Sequence, residues 1–201
     1  MKFGRILPNP RYAEFQEILA AHPEWLKPWA GTFFRFQTIE FPTAKDVLGG
    51  GGARERGGRW NQPGLPTVYG STTDTVALEE CKANDRYYGV VTKGPRLLVA
   101  IEAQLAGVLD LTSPGIRRTL GITLKEMAAE DWRKLLQAGQ ESISQALGRA
   151  GAVNGASGLL VRSAAVPQGI NVVVFPRVHR DDWMKVVEGE KLARLGVKLR
   201  A

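Results

Sequence analysis

Residues 157–175 read SGLLVRSAAVPQGINVVVF. Two runs rich in branched apolar side chains, GLLVRS and INVVVF, flank AAVPQG, whose proline and glycine mark a break. Each run is predicted to be a strand, and the connection between them is short. Upstream, GTFFRFQTI (31–39), TVYG (67–70), PRLLVAIEA (95–103) and GVLDLT (107–112) also read as strands, the last two as separate short ones. Helical patterns fall irregularly between them. Asn9-Pro10 resembles a helix start, and apolar spacing continues it through 10–21. Residues 71–85 are helical, with Ser71 and Asp74 placed as a capping pair. Residues 121–139 open with Thr123 and Glu126 in capping-box spacing, and a further helix ends near Gly151. The tail 181–201 is weakly helical or mixed. Irregular alternation with short strand connections favours an α+β fold over a doubly wound parallel sheet.

The glycine-rich stretch DVLGGGGARERGG (46–58) is predicted to be a loop, because four consecutive glycines hold a regular element only at an entropic cost. It lacks the GK[ST] ending of a phosphate-binding P-loop.

The chain has 201 residues and is 44% hydrophobic, which suits one domain over 1–201 and excludes global disorder. No apolar run approaches the ~20 residues that cross a bilayer. The N-terminal MKFGRILPNPRYAEF has no signal-peptide core, so a cytoplasmic protein without a membrane partner is expected. The lone cysteine, Cys81, excludes an internal disulfide. One cysteine and two histidines argue against a zinc site, and no metal is expected. Neither His22 nor His179 lies near a nucleophile-elbow motif, which argues against a serine-hydrolase triad. The net charge of +7 fits an anionic ligand or partner, but the basic residues are scattered and no nucleic-acid motif is present, so direct DNA binding is not expected.

The stretch GGRWNQPGLPTVYGSTTDTVALEE (57–80) ends in two glutamates. On a helical wheel with Val76 at zero, Ala77, Leu78, Cys81 and Ala83 define an apolar arc. Glu80 falls at about 40°, inside that arc, and Glu79 falls outside it beside Thr75 and Lys82. An inward carboxylate is costly unless it is paired. Two readings stay open: a buried salt bridge with Arg35 or Arg59, or a carboxylate lining a pocket where positive charge develops. Arg35 sits between Phe34 and Phe36 in a predicted strand, so the two-residue period puts it on the face opposite them. Ser163 closes one strand and Asn171 begins the next, where a side chain either caps a turn or reaches a ligand.

Taken in order, FFRF with Arg35, GGRWNQPGLPTVYGSTTDTVALEE with Arg59, Tyr69 and Glu80, RLLVAIEAQLAGVLDLT, and GLLVRSAAVPQGINVVVF with Ser163 and Asn171 resemble the RES-domain family. The resemblance covers about 32–176. It implies an ADP-ribosyltransferase-like fold with a mixed or antiparallel β core. It also implies a toxin of a bacterial toxin–antitoxin pair that breaks the nicotinamide–ribose bond of NAD+, as glycohydrolase or phosphorylase. NAD+ is then substrate, and no cofactor is required. Glu80, Arg35 and Ser163 are the implied catalytic residues. Arg59, Tyr69, Asn61 and Asn171 are the implied NAD-binding residues, with the Tyr69 ring stacking on nicotinamide and the arginines holding pyrophosphate. The implied partner is an antitoxin with an Xre-like helix-turn-helix, and a homo-oligomer is compatible with the sequence. Transfer of ADP-ribose to a protein is the alternative on the same scaffold. A non-catalytic module binding nucleic acid or protein is the alternative from another class, and it leaves an inward Glu80 without a role.

Overall fold

The computed structural model describes residues 5–39, 43–89, 95–176 and 181–192. Helix α1 (Tyr12–Ala21) and a 3-10 turn (Pro23–Trp25) lead into β1 (Leu26–Thr38). Helices α2 (Ala44–Leu48) and α3 (Gly51–Arg56) follow, then β2 (Val68–Ser71), α4 (Asp74–Tyr88) and β3 (Arg96–Asp110). Four helices come next: α5 (Pro114–Thr119), α6 (Leu124–Ala129), α7 (Trp132–Gln137) and α8 (Ile143–Val153). The chain then forms β4 (Gly158–Arg162), β5 (Ile170–Val174) and β6 (Trp183–Val186).

The hairpin read from residues 157–175 is present. β4 and β5 pair antiparallel from Gly158↔Val174 to Arg162↔Ile170. β5 pairs antiparallel with β2, and β2 with β1. β1 also pairs antiparallel with β3 along nearly its whole length, and β3 pairs in parallel with β4, so the ladder closes on itself as a small barrel. β6 adds to β3 at Ile101–Gln104. The one parallel pair among these is spanned by α5–α8, as a parallel connection requires. The α+β class with a mixed sheet and flanking helices is therefore the observed one.

Neighbouring residues of β5 feed two cores, because successive side chains point to opposite faces. Val173 and Phe175 pack with Phe15, Leu19, Leu147 and Leu159 beneath α1 and α8. Val172 and Val174 pack with Phe33, Ile101 and Leu105. Burial on both sides explains why residues 172–175, VVVF, are continuously apolar rather than alternating.

Four local expectations are corrected. The segments 95–103 and 107–112 are one strand, β3, because the in–out alternation runs unbroken through Gln104 and Ala106, with β1 along one edge. The glycine-rich stretch is not a loop. Thr43 and Asp46 form a reciprocal capping box that starts α2, and Gly50 then turns the chain at φ 65° into α3. A side chain at Gly50 would meet the backbone of Thr67, so the glycine is needed there twice over. The helix expected over 121–139 opens with the Thr123–Glu126 capping box but breaks at Glu130, and Asp131 caps α7 by accepting from Arg133 N and Lys134 N. Ser71 is not the cap of α4. It ends β2, and Thr73 caps the helix by accepting from Val76 N at 3.2 Å.

Asn9 Oδ1 accepts from Arg11 N at 3.0 Å, the contact expected of the Asn-Pro start, although regular helix begins at Tyr12. His22 stacks on Trp25 and bonds the Glu24 carboxylate. His179 lies outside the described residues. No helix among the described residues is long and apolar enough to cross a membrane.

Helix α8 is held against residues 58–61. Gln145 Nε2 donates to Gly58 O at 2.9 Å, and a β-carbon at Gly148 would collide with the carbonyl of Trp60. Gly148→Ala gains about 1 kcal/mol of helix propensity but forces α8 away from a backbone that has no rotamer to adjust, at about 3 kcal/mol. The expected result is a lower melting temperature. An unchanged or higher one would show that this contact is loose.

Candidate active site

Helix α4 sets the position of the site. Val76 and Ala77 are buried against the sheet, and Glu80, one turn on, follows the same stripe. Its Oε1 accepts from Ser163 Oγ at 2.7 Å and from Asn171 Nδ2 at 2.7 Å. Among the described residues its Oε2 accepts no hydrogen bond, and Glu80 lines a cleft of about 450 Å³. Glu79 turns outward and pairs with Lys82 at 2.7 Å. The wheel placed both glutamates as they stand; Leu78, counted in the apolar arc, is 36% exposed.

The two donors are themselves anchored. Asn171 Oδ1 accepts from Ser71 Oγ at 2.7 Å. Ser163 closes the β4–β5 turn, its Oγ accepting from Ala165 N at 3.1 Å and Val166 N at 3.0 Å. Ser163 therefore does both things its position at a strand end allows: it holds the turn and it donates to Glu80. The partners of Glu80 are neutral, and among the described residues it forms no ion pair. The buried salt bridge with Arg35 or Arg59 is not what balances it.

Arginines dominate the cleft. Arg35, Arg56, Arg59, Arg133 and Arg162 line it, against the carboxylates of Glu80 and Asp46. Arg35 lies in β1 opposite Val99, two residues from fully buried Phe33 and on the same face. Its Nη1 donates to Val47 O at 3.0 Å, and its buried Nε has no partner among the described residues. Burial pushes the guanidinium pKa down to about 10. Phe34 and Phe36 line a second hollow, of about 280 Å³, with Cys81 and Ala77, and Arg35 and Glu80 border both spaces. Arg59 donates from Nη1 to Met127 O at 2.7 Å. Burial lowers its pKa most, the charge of Arg133 lowers it further, and the Glu80 and Glu130 carboxylates oppose both.

Tyr69 presents its ring to the cleft while its hydroxyl is tied. The hydroxyl donates to Asn61 Oδ1 at 2.7 Å and accepts from Trp60 N at 2.9 Å, and burial raises its pKa. Asn61 does not stand where a ligand can reach it. It is fully buried, and its Nδ2 donates to the carbonyls of Ala53, Gln62 and Leu65. The expectation that Asn61 binds substrate is corrected: every polar position of its amide is used in holding residues 53–69 together. Trp60 is only 5% exposed and packs in the core beneath α8, while its edge forms part of the cleft wall.

Sequence reading missed the far wall. Asn84 and Tyr87 continue the stripe of Glu80 along α4 at i+4 and i+7, and Trp132 and Arg133 face them from α7. The signal was in the wheel that placed Glu80, which also puts Asn84 and Tyr87 on its side. Arg133 belongs to a different helix, and nothing local in DWRK points it there. Gly50 and the first turn of α3, Gly51, Gly52 and Ala53, make a further wall in a stretch predicted to be a loop.

Known proteins share this chain's sequence pattern and its fold. The RES domain family model matches residues 32–194, further than the span quoted above. The NAD(+) phosphorylase MbcT of Mycobacterium tuberculosis is 29% identical over 153 residues, covering 73% of this chain and 73% of that protein, and MbcT of Mycobacterium bovis matches equally. In fold, the chain is similar to one from the crystal structure of the M. tuberculosis MbcT–MbcA toxin–antitoxin complex. That match has a TM-score of 0.63 and 22% identity, and covers 91% of this chain and 99% of the other. Arg35 and Glu80 share one cleft, Ser163 is bonded to Glu80 from behind it, and the family model spans most of the chain: this protein belongs to the RES domain family.

Proposed function

We propose that the chain breaks the nicotinamide–ribose bond of NAD+ and acts in the bacterial cytoplasm as the toxin of a toxin–antitoxin pair. The observation that carries this reading is a carboxylate fixed through one oxygen, with the other open to an arginine-lined cleft. Nicotinamide leaves as a neutral molecule and takes the electron pair of the C–N bond, so positive charge grows on the ribose. A carboxylate held in place before the reaction stabilises that charge without reorganising. The free Oε2 of Glu80 is the atom for this role, and it can also accept from the ribose 2′-hydroxyl.

The other residues bind and orient. Arg35 and Arg59 supply guanidinium donors for the pyrophosphate, and the Tyr69 ring offers a face for the nicotinamide. Ser163 and Asn171 act through Glu80. NAD+ is consumed, so no separate cofactor takes part. The name of the relative MbcT favours inorganic phosphate over water or a protein side chain as acceptor. The complex in which the structural neighbour was solved favours an antitoxin as partner, here of the Xre-like type.

Two measurements check the reading. Expression of the chain in bacteria is expected to lower cellular NAD+ before growth stops; growth arrest at constant NAD+ would overturn it. Ser163→Ala removes one of the two donors on Oε1 and is expected to lower kcat about tenfold with KM for NAD+ nearly unchanged. A rise in KM alone would make Ser163 a binding residue instead.

A further inference from the structure

Two of the arginines that line the cleft, Arg59 and Arg133, form no ion pair with a carboxylate among the described residues. Arg133 is held flat in an aromatic setting, its guanidinium carbon 4.3 Å from the Tyr87 ring centroid, 4.4 Å from that of Trp132 and 5.3 Å from that of Tyr88. Its Nη2 donates to Asn84 Oδ1 at 2.7 Å and its Nε to Tyr88 Oη at 3.2 Å. Among the described residues its Nη1 has no partner, and neither do Nε and Nη2 of Arg59. Both side chains line the same cleft as Glu80.

The nearby acids are committed elsewhere. Asp131 accepts from Tyr87 Oη and caps α7. Glu130 accepts from Ile143 N at 2.8 Å. The Arg133 charge depresses the Arg59 pKa, and it outranks the opposing pull of either Glu80 or Glu130. Two like charges held on rigid supports, with open donors on both, make a site that lacks only its anion. Asn84 stands one turn from Glu80 on α4, so Arg133 is anchored about 6 Å along the helix from the carboxylate.

We propose that Arg59 and Arg133 together form a phosphate-binding subsite beside Glu80. The ligand class is a phosphate group, either inorganic orthophosphate or the pyrophosphate of a dinucleotide. Which of these it serves in turnover rests on the NAD+-cleaving reading above; the existence of the subsite does not. Arg133 thereby joins the residues that set which acceptor or substrate the cleft takes.

The test compares wild type with Arg133→Lys and Arg133→Ala. Lysine keeps the charge but loses the planar fork and the stacking. Calorimetric titration with inorganic pyrophosphate and with orthophosphate, on protein whose folding is checked by circular dichroism, is independent of any turnover. Wild type is expected to bind at least one of them, with affinity falling about tenfold in Arg133→Lys and further in Arg133→Ala. Equal binding by all three proteins, or no binding by wild type, overturns the subsite. Where NAD+ is consumed, a rise confined to the KM for orthophosphate assigns the subsite to the acceptor, and a rise in the KM for NAD+ assigns it to the pyrophosphate. Unchanged values of both overturn it. If wild type binds phosphate through Arg133 but leaves NAD+ intact, the subsite stands and the proposed reaction falls.

Discussion

Glu80→Gln is expected to lower NAD+ turnover by about two to three orders of magnitude, and Glu79→Gln to leave it within about twofold of wild type. The two residues are adjacent in sequence and share a helix, so differences in expression or helix stability affect them alike. Their surroundings differ. Glu80 is held by Ser163 and Asn171 at the wall of the cleft, whereas Glu79 pairs with Lys82 on the surface. Glutamine keeps the volume of Glu80 and an oxygen to receive the two donors, and removes the negative charge. A large loss in Glu80→Gln with normal folding therefore isolates the electrostatic role. Comparable losses in both variants would mean that the helix, rather than the carboxylate, matters.

The second large effect is on stability. Asn61→Ala leaves the buried Tyr69 hydroxyl without its acceptor and removes one donor from each of the carbonyls of Ala53, Gln62 and Leu65, which keep only Gly57 N, Leu65 N and Thr67 Oγ1 respectively. The unpaired hydroxyl costs about 1–3 kcal/mol, and the weakened carbonyl bonds and the void left by the buried amide add to it, so a net loss of about 3 kcal/mol is expected. In a chain of this length that lowers the melting temperature by roughly 6–12 °C. Below the transition, the KM for NAD+ of the folded fraction should stay close to that of wild type, because Asn61 holds Tyr69 from behind rather than touching the cleft. A variant with unchanged melting temperature and a raised KM would restore Asn61 as a ligand-binding residue and contradict the buried geometry.

The contrast between Glu80 and Asn61 shows what the sequence could reveal. Glu80 was legible because helical periodicity is a local property: Val76 and Ala77 fix which side of α4 faces the sheet, and the carboxylate goes with them. The β4–β5 hairpin was legible for a similar reason, since two branched apolar runs and a short connection leave few arrangements. Asn61 sits in an irregular segment with no period to read, so its residue type suggested binding when its neighbours in space had already used it. Arg133 is a longer-range case. Its place in the cleft depends on α7 docking against the end of α4, through contacts to Asn84, Tyr87 and Tyr88. The single strand β3 is not legible locally, because LDLT and VAIEA each look like a complete short strand. The long pairing with β1 carries the strand through both. The glycines at 49–52 were read by propensity alone, and the Thr43–Asp46 capping box and the close approach to Thr67 override it.

The proposed chemistry is tested most directly by incubating the purified chain with NAD+ in the presence and absence of orthophosphate and identifying the products by mass. The account predicts release of nicotinamide together with ADP-ribose carrying a phosphate on the carbon that nicotinamide left, formed only when orthophosphate is supplied. Free ADP-ribose would keep the bond cleavage and change the acceptor to water. NAD+ recovered intact, with and without orthophosphate and after addition of a bacterial extract as a source of protein acceptors, would contradict the account.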